Sequence, residues 1–208
     1  MIPVKVLAVR YLANASPALA RSLGAPKGYP SLALLTTDCD DATYIALDAA
    51  TKAADVQVAY GRSFYAGAAN ASTPHAGEVI GILAGATPGA VRSGMEAALS
   101  ALQRVGFEEV NGVPYLAHTV ASVGSFLAKE AGIQPGSALA YLIAPPLEGM
   151  YALDAALKAA DVKLCKLYAP PSETNFGGGL LCGTQSACAA ACEAFAAAVA
   201  QVADNPLA

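Results

Sequence analysis

The sequence predicts an α+β fold of two tandem ferredoxin-like domains, residues 1–106 and 107–208, each a mixed four-stranded sheet flanked by helices. One observation is an internal repeat: Leu47-Asp48-Ala49-Ala50-Thr51-Lys52-Ala53-Ala54-Asp55-Val56 returns as Leu153-Asp154-Ala155-Ala156-Leu157-Lys158-Ala159-Ala160-Asp161-Val162, differing only at Thr51/Leu157. The echo extends outward, with Leu19-Ala20-Arg21 and Gly24 matching Leu127-Ala128-Lys129 and Gly132, and Gly85 and Glu96 matching Gly183 and Glu193. A second observation is that strand and helix signals follow one order in both halves. The third is length, since 208 residues hold two domains of roughly 100 residues each.

Taken in order, Val4 to Leu12 is apolar and β-branched enough for a strand. Ser16-Pro17 then supplies an N-cap with proline at N1, and Gly24 ends a short helix. Ser31 to Thr37 reads as a buried strand, and Asp41 or Thr43 caps a helix to about Ala54. Val56 to Tyr60 is the next strand; a polar, glycine-containing loop from Gly61 to Gly77 leads to the strand Glu78 to Leu83. Thr87-Pro88 opens a helix to Arg104, and Gly106 to Gly112 interrupts the apolar pattern between the halves. The second half gives strands near Tyr115–Val120, Ser137–Ile143, Val162–Tyr168 and Gly179–Cys182, and helices near Val123–Ala131, Glu148–Ala160 and Gln185–Ala203. Four strands and three helices per half predict helices layered on a sheet.

Composition narrows the function. Apolar residues make up 55% and charged residues 13%, about half the usual quarter, so a free monomer has little charge to cover its surface and burial in an assembly is expected. Mean hydropathy is +0.45, yet no apolar run is expected to reach the roughly 18 residues of a membrane span, and Met1 to Arg10 lacks a secretory signal. A cytoplasmic protein is expected. Five cysteines without a CxxC pair argue against a disulfide framework or zinc ribbon. A net charge of −4 without a Lys/Arg cluster argues against nucleic-acid or anionic-membrane partners.

Asp38, Asp40 and Asp41 gather at a strand-to-helix junction, where capping alone is the simpler explanation. The second half has Ala144-Pro145-Pro146 there, so the shared fold does not require the acidity, which favours a function. Asp40, Asp41 and Glu78 supply the acceptors an ammonium group needs, with Phe107 a weaker candidate for an apolar wall. Cys182, Cys188 and Cys192 could hold a cluster, but on an alanine-rich helix cysteine reads better as a small core residue, and no metal is assigned. His75 and His118 are solitary, and Gly177-x-Gly179-x-x-x-Gly183 misses the dinucleotide spacing. No nucleophile, base and orienting group stand together, so no catalytic residue is assigned. A small-molecule sensor or cofactor carrier with a site between the two domains is the alternative.

The repeated Leu-Asp-Ala-Ala-x-Lys-Ala-Ala-Asp-Val segment resembles that of bacterial microcompartment shell domains, and the order of elements resembles their circularly permuted, tandem form. Asp38-Cys39-Asp40-Asp41-Ala42-Thr43-Tyr44-Ile45, Tyr60 to Ala69 and Pro170-Pro171-Ser172-Glu173-Thr174-Asn175 resemble the ethanolamine-utilisation type throughout. The resemblance implies a homotrimer with six domains around a threefold axis, a tile in a compartment shell beside other shell proteins. It places Lys52 and Lys158 at the tile edge. It implies a gated central pore lined by Phe64, Tyr65, Ala66 and Gly67, within the stretch 64–69, and by Glu173, Thr174, Asn175, Phe176, Gly177 and Gly178. Gly67 and the run Gly177 to Gly179 would give these loops two arrangements. It also implies a weak site for ethanolamine at Asp40, Asp41 and Glu78, with no cofactor required and passage of a larger one such as cobalamin through the pore.

Overall fold

The computed structural model describes residues 1–64, 75, 77–170 and 174–207. These fall into two compact units, Pro3–Gly106 with Gly124–Leu127, and Met1–Ile2 with Phe107–Val123 and Ala128–Ala208. The strands of the first unit are β1 (Val6–Leu12), β2 (Ser31–Thr37), β3 (Val56–Ser63) and β4 (Val79–Gly85); its helices are α1 (Pro17–Ser22), α2 (Asp40–Ala53) and α3 (Pro88–Leu102). The second unit carries β5 (Glu108–Val110), β6 (Val113–Val120), β7 (Ala138–Ala144), β8 (Val162–Tyr168) and β9 (Gly177–Gly183), with α5 (Pro146–Ala159) and α6 (Gln185–Asp204). Helix α4 (Ser125–Ala131) begins in the residues grouped with the first unit.

Strand order is β1-β2-β4-β3 in one sheet and β5-β6-β7-β9-β8 in the other, and every pairing is antiparallel rather than mixed. The helical crossover through α2 brings β3 back parallel to β2, but β4 lies between them and pairs antiparallel with both, Ser31↔Gly85 on one side and Val56↔Gly85 on the other. Strand β9 does the same between β7 and β8. The fifth strand of the second sheet, β5, occupies the stretch expected to be connecting loop: Asn111 (φ 49°) and Gly112 (φ 80°) make a two-residue turn with both residues left-handed, which suits a tight hairpin.

Each sheet carries a pair of helices on one face, α2 with α3 and α5 with α6. Leu32, Leu35, Leu47, Ile82, Leu83 and Met95 are buried in the first unit, and Leu142, Leu153, Leu181 and Phe195 in the second. Alanines fill the helix contacts, so the helices approach closely and large side chains concentrate at the sheet, where each contributes about 1.5–3 kcal/mol. Helices α3 and α6 start on caps of one kind: the hydroxyls of Thr87 and Thr184 accept from the backbone N–H of Ala90 and Ala187, each at 3.1 Å.

Contrary to expectation, α6 has the length and mean hydropathy of a membrane-crossing helix. Alanine supplies much of that hydropathy with little side-chain bulk, and Cys188, Ala191, Cys192, Phe195, Ala198 and Val199 form one buried face in the second unit's core. This is the pattern of a core helix.

Candidate functional site

The acidic cluster sits where β2 ends and α2 begins, beside the end of β3 and the start of β4. Thr37 organises the junction: its hydroxyl lies 2.7 Å from that of Thr43 and accepts from the Cys39 N–H at 3.1 Å, while its carbonyl accepts from the Glu78 N–H at 2.9 Å. The Glu78 carbonyl in turn accepts from the N–H of Phe64, which closes the β3–β4 end. Asp38 is tied to β1's approach, its carboxylate accepting from the Lys5 N–H at 2.7 Å.

The helix does not begin on Asp41 or Thr43. Its N-cap is Cys39, which makes no side-chain cap bond, and Asp40 and Asp41 occupy the first turn, both buried. Carboxylates there favour the helix dipole, but a dipole interaction is worth at most about 1–2 kcal/mol, so capping alone does not explain two buried acids. Asp40 accepts from the Asp41 N–H at 2.9 Å. Burial and the charges of Asp40 and Asp38 raise the Glu78 carboxyl to about 7, so near neutrality it is poised between its two forms. Burial and Asp41 push the Cys39 thiol well upward, which keeps it protonated.

Two contributors were missed in the sequence. The Tyr44 hydroxyl lies 2.8 Å from that of Ser63, and burial, countered by that bond and reinforced by Asp40 and Asp41, pushes the phenol up to about 12. The i,i+4 spacing of Asp40 and Tyr44 was a readable signal. Ser63 was not readable, because β3 runs three residues past the expected end at Tyr60. Together these residues form a half-buried cluster rich in carboxylate acceptors and hydroxyls, the chemistry that suits a small cation.

The other candidates divide. Phe107 belongs to the second unit, where its ring meets Phe176 edge-on at a centroid distance of 5.6 Å. Phe64 follows β3 and is partly exposed; Tyr65, Ala66, Gly67 and Glu173 lie outside the described residues. Thr174 and Asn175 (φ 63°) form the turn before β9. Gly177 and Gly178 are strand rather than loop, paired with Ala144 and Ile143, because a Cβ on Gly178 would fall 1.9 Å from the Leu142 carbonyl oxygen. Lys52 and Lys158 each reach the aspartate one turn earlier, Asp48 at 3.5 Å and Asp154 at 2.5 Å. Cys188 and Cys192 are buried in the second core, the latter accepting from the Thr119 hydroxyl at 3.3 Å. His75 lies with Nδ1 3.3 Å from the Leu7 carbonyl, and His118 is on β6.

A BMC domain model matches residues 31–114. The bacterial microcompartment shell protein EutL of Clostridium perfringens (strain 13 / Type A) is 59% identical over 211 residues, covering 100% of this chain and 97% of that protein. The protein of the same name in Escherichia coli (strain K12) is 47% identical, covering 100% of this chain and 96% of that one. The crystal structure of ethanolamine utilization protein EutL from Leptotrichia buccalis C-1013-b matches with a TM-score of 0.96 and 58% identity, covering 100% of this chain and 97% of that one.

Proposed function

The chain belongs to the EutL family of bacterial microcompartment shell proteins, a structural rather than catalytic family, and from that premise we propose that it is a tile with an amine-binding site. In this reading, residues 1–106 and 107–208 are its two shell domains, and three copies close into a pseudohexameric disc within a compartment shell in the cytoplasm, beside other shell proteins. The low charged fraction of 13% supports burial in an assembly. The stretches 64–69 and 173–178 border a central pore, gated for metabolites or a larger cofactor such as cobalamin. Lys52 and Lys158 face neighbouring tiles.

The observation that carries the amine site is the buried pair Asp40 and Asp41 with Glu78, an acidity that the second repeat replaces with Ala144-Pro145-Pro146. A primary ammonium offers three donors, and carboxylates are strong acceptors for them. Ethanolamine, suggested by the relative's printed name, fits that chemistry. With so few atoms, at about 1.5 kcal/mol each at best, the ligand binds in the micromolar to millimolar range, which suits passage.

Titration of the protein with ethanolamine, followed by NMR or calorimetry, tests the site. Saturable binding that fails in Asp41→Asn and Glu78→Gln is expected. If the wild type shows no amine-dependent change at roughly tens of millimolar, or if both variants bind equally well, the acids serve only the helix start.

A further inference from the structure

Two cysteines of the second unit meet at a place where the first unit has two alanines. Strand β8 carries a bulge: Leu164 pairs with Leu181 and Lys166 with Leu180, so Cys165 is the extra residue without a partner on β9. Lys163 lies opposite Cys182, and Cys165, two residues on, shares that face of the sheet. Leu181 packs in the core beneath α5 and α6, so its neighbour Cys182 points to the face away from those helices. There the Cys165 and Cys182 thiols are in hydrogen-bond contact, and the Cys165 thiol also donates to the Lys163 carbonyl at 3.5 Å. Both cysteines are partly exposed.

The first unit builds the same bulge without sulfur. Val58 pairs with Leu83 and Tyr60 with Ile82, which leaves Ala59 as the extra residue, and Gln57 lies opposite Ala84. Ala59 and Ala84 are thus the counterparts of Cys165 and Cys182, so the backbone shape needs neither thiol. The other two cysteines of the second unit are of a different kind. The matched caps at Thr87 and Thr184 make Cys188 and Cys192 the counterparts of Val91 and Met95, and all four are buried. Sulfur fills core space at 188 and 192, whereas at 165 and 182 it forms an accessible pair.

Touching thiols can hold a metal or close into a disulfide. Among the described residues no three or more Cys, His, Asp or Glu stand together as ligands, so the pair lacks the four ligands of a structural zinc site. A disulfide needs only the two sulfurs. The extra residue makes β8 advance two residues while β9 advances one, so Cys165 stays nearer Cys182 than a regular strand would hold it.

We propose that Cys165 and Cys182 are a thiol–disulfide exchange site whose oxidant is a small-molecule disulfide. The thiolate of one cysteine attacks a sulfur of the reagent RSSR, and RS⁻ leaves and takes up a proton as RSH. The thiolate of the other attacks the cysteine sulfur of this mixed disulfide and expels the second RS⁻, which is protonated in turn. The pair gives up two protons and two electrons and gains an S–S bond, and the reagent is reduced to two thiols. Burial and the Cys182 thiol push the Cys165 thiol upward, which keeps it protonated near neutrality and the exchange slow. In a cytoplasm the dithiol is the resting form, and the bond closes when the thiol pool is oxidised. Closure ties the edge strand β8 to β9. The site stands independently of the tile and amine readings.

Incubation of the full chain with oxidised glutathione, followed by thiol counting in denaturant and mass spectrometry of unreduced peptides, tests it. The wild type should lose two of its five thiols, with residues 165 and 182 linked within one chain, and dithiothreitol should restore all five. Cys165→Ala and Cys182→Ala each introduce the residue that the first unit has at that position. Neither variant should form the link, and each should instead keep glutathione on the cysteine that remains. A wild type that keeps five thiols, that carries glutathione on both cysteines without a bond between them, or that links other cysteines overturns the proposal.

Discussion

Glu78 sets how the acidic cluster responds to pH. Its carboxyl is raised from an ordinary 4.5 to about 7 by burial and by Asp40 and Asp38, so the ionised form is the costly one in the folded chain. The unliganded fold is therefore favoured at low pH and loses this contribution as pH rises from 4.5 through about 7. Amine binding has the opposite sign. An ammonium needs the carboxylate, so affinity should rise between about pH 6 and about pH 8, and binding near neutrality should release a proton. Calorimetry in buffers of different ionisation heat checks this: the apparent enthalpy of amine binding to the wild type should vary with the buffer. A buffer-independent enthalpy in the wild type would mean that Glu78 is already ionised or does not meet the ligand. Asp40, Asp41 and Glu78 were legible because charge at an apolar junction stands out, whereas Asp48 was not. It shares its neighbours' sequence with Asp154 and differs only in what covers it.

At the scale of elements, β9 shows where a correct residue pattern was given the wrong physical reason. Gly177 to Gly179 read as a hinge because glycine permits unusual backbone angles, but these residues pair with Leu142, Ile143 and Ala144 in the middle of the sheet. Glycine is needed for the close approach of two backbones, a contact between residues far apart in sequence that no local pattern reveals. Gly178→Ala should cost about 3 kcal/mol or more, because the Cβ must displace the Leu142 carbonyl. Gly112→Ala, where nothing lies within 4 Å, carries only the left-handed backbone cost of about 1 kcal/mol. Denaturant midpoints compare the two, and equal losses would mean β7 and β9 are not so closely packed. The start of α3 at Thr87-Pro88 and the repeat order were legible because a cap and a periodicity are local, whereas α2 begins on Cys39 without the side-chain cap its sequence suggested. The antiparallel order was not, since β4 and β9 insert between strands that precede them in sequence.

For the whole molecule, the question is which surfaces build a tile and which join tiles. A chain with 55% apolar and only 13% charged residues has little charge to cover a free surface, and Leu147 and Tyr151 on α5 are exposed in the single chain. Lys52 and Lys158 lie one turn beyond Asp48 and Asp154, and both remain exposed. Their exposure in both repeats fits the proposed role in contacts between discs. Lys158 contributes little to the fold, since its exposed i,i+4 pair with Asp154 is worth about 0.5 kcal/mol or less, and Asp48, though buried, keeps its two backbone donors when Lys52 is replaced. Replacing both lysines with alanine should therefore preserve the mass of the oligomer and its melting temperature while abolishing extended sheets in electron micrographs. Loss of the oligomer would place the lysines inside the contact that holds the oligomer together, and sheets of unchanged extent would place the tiling contact elsewhere on the disc.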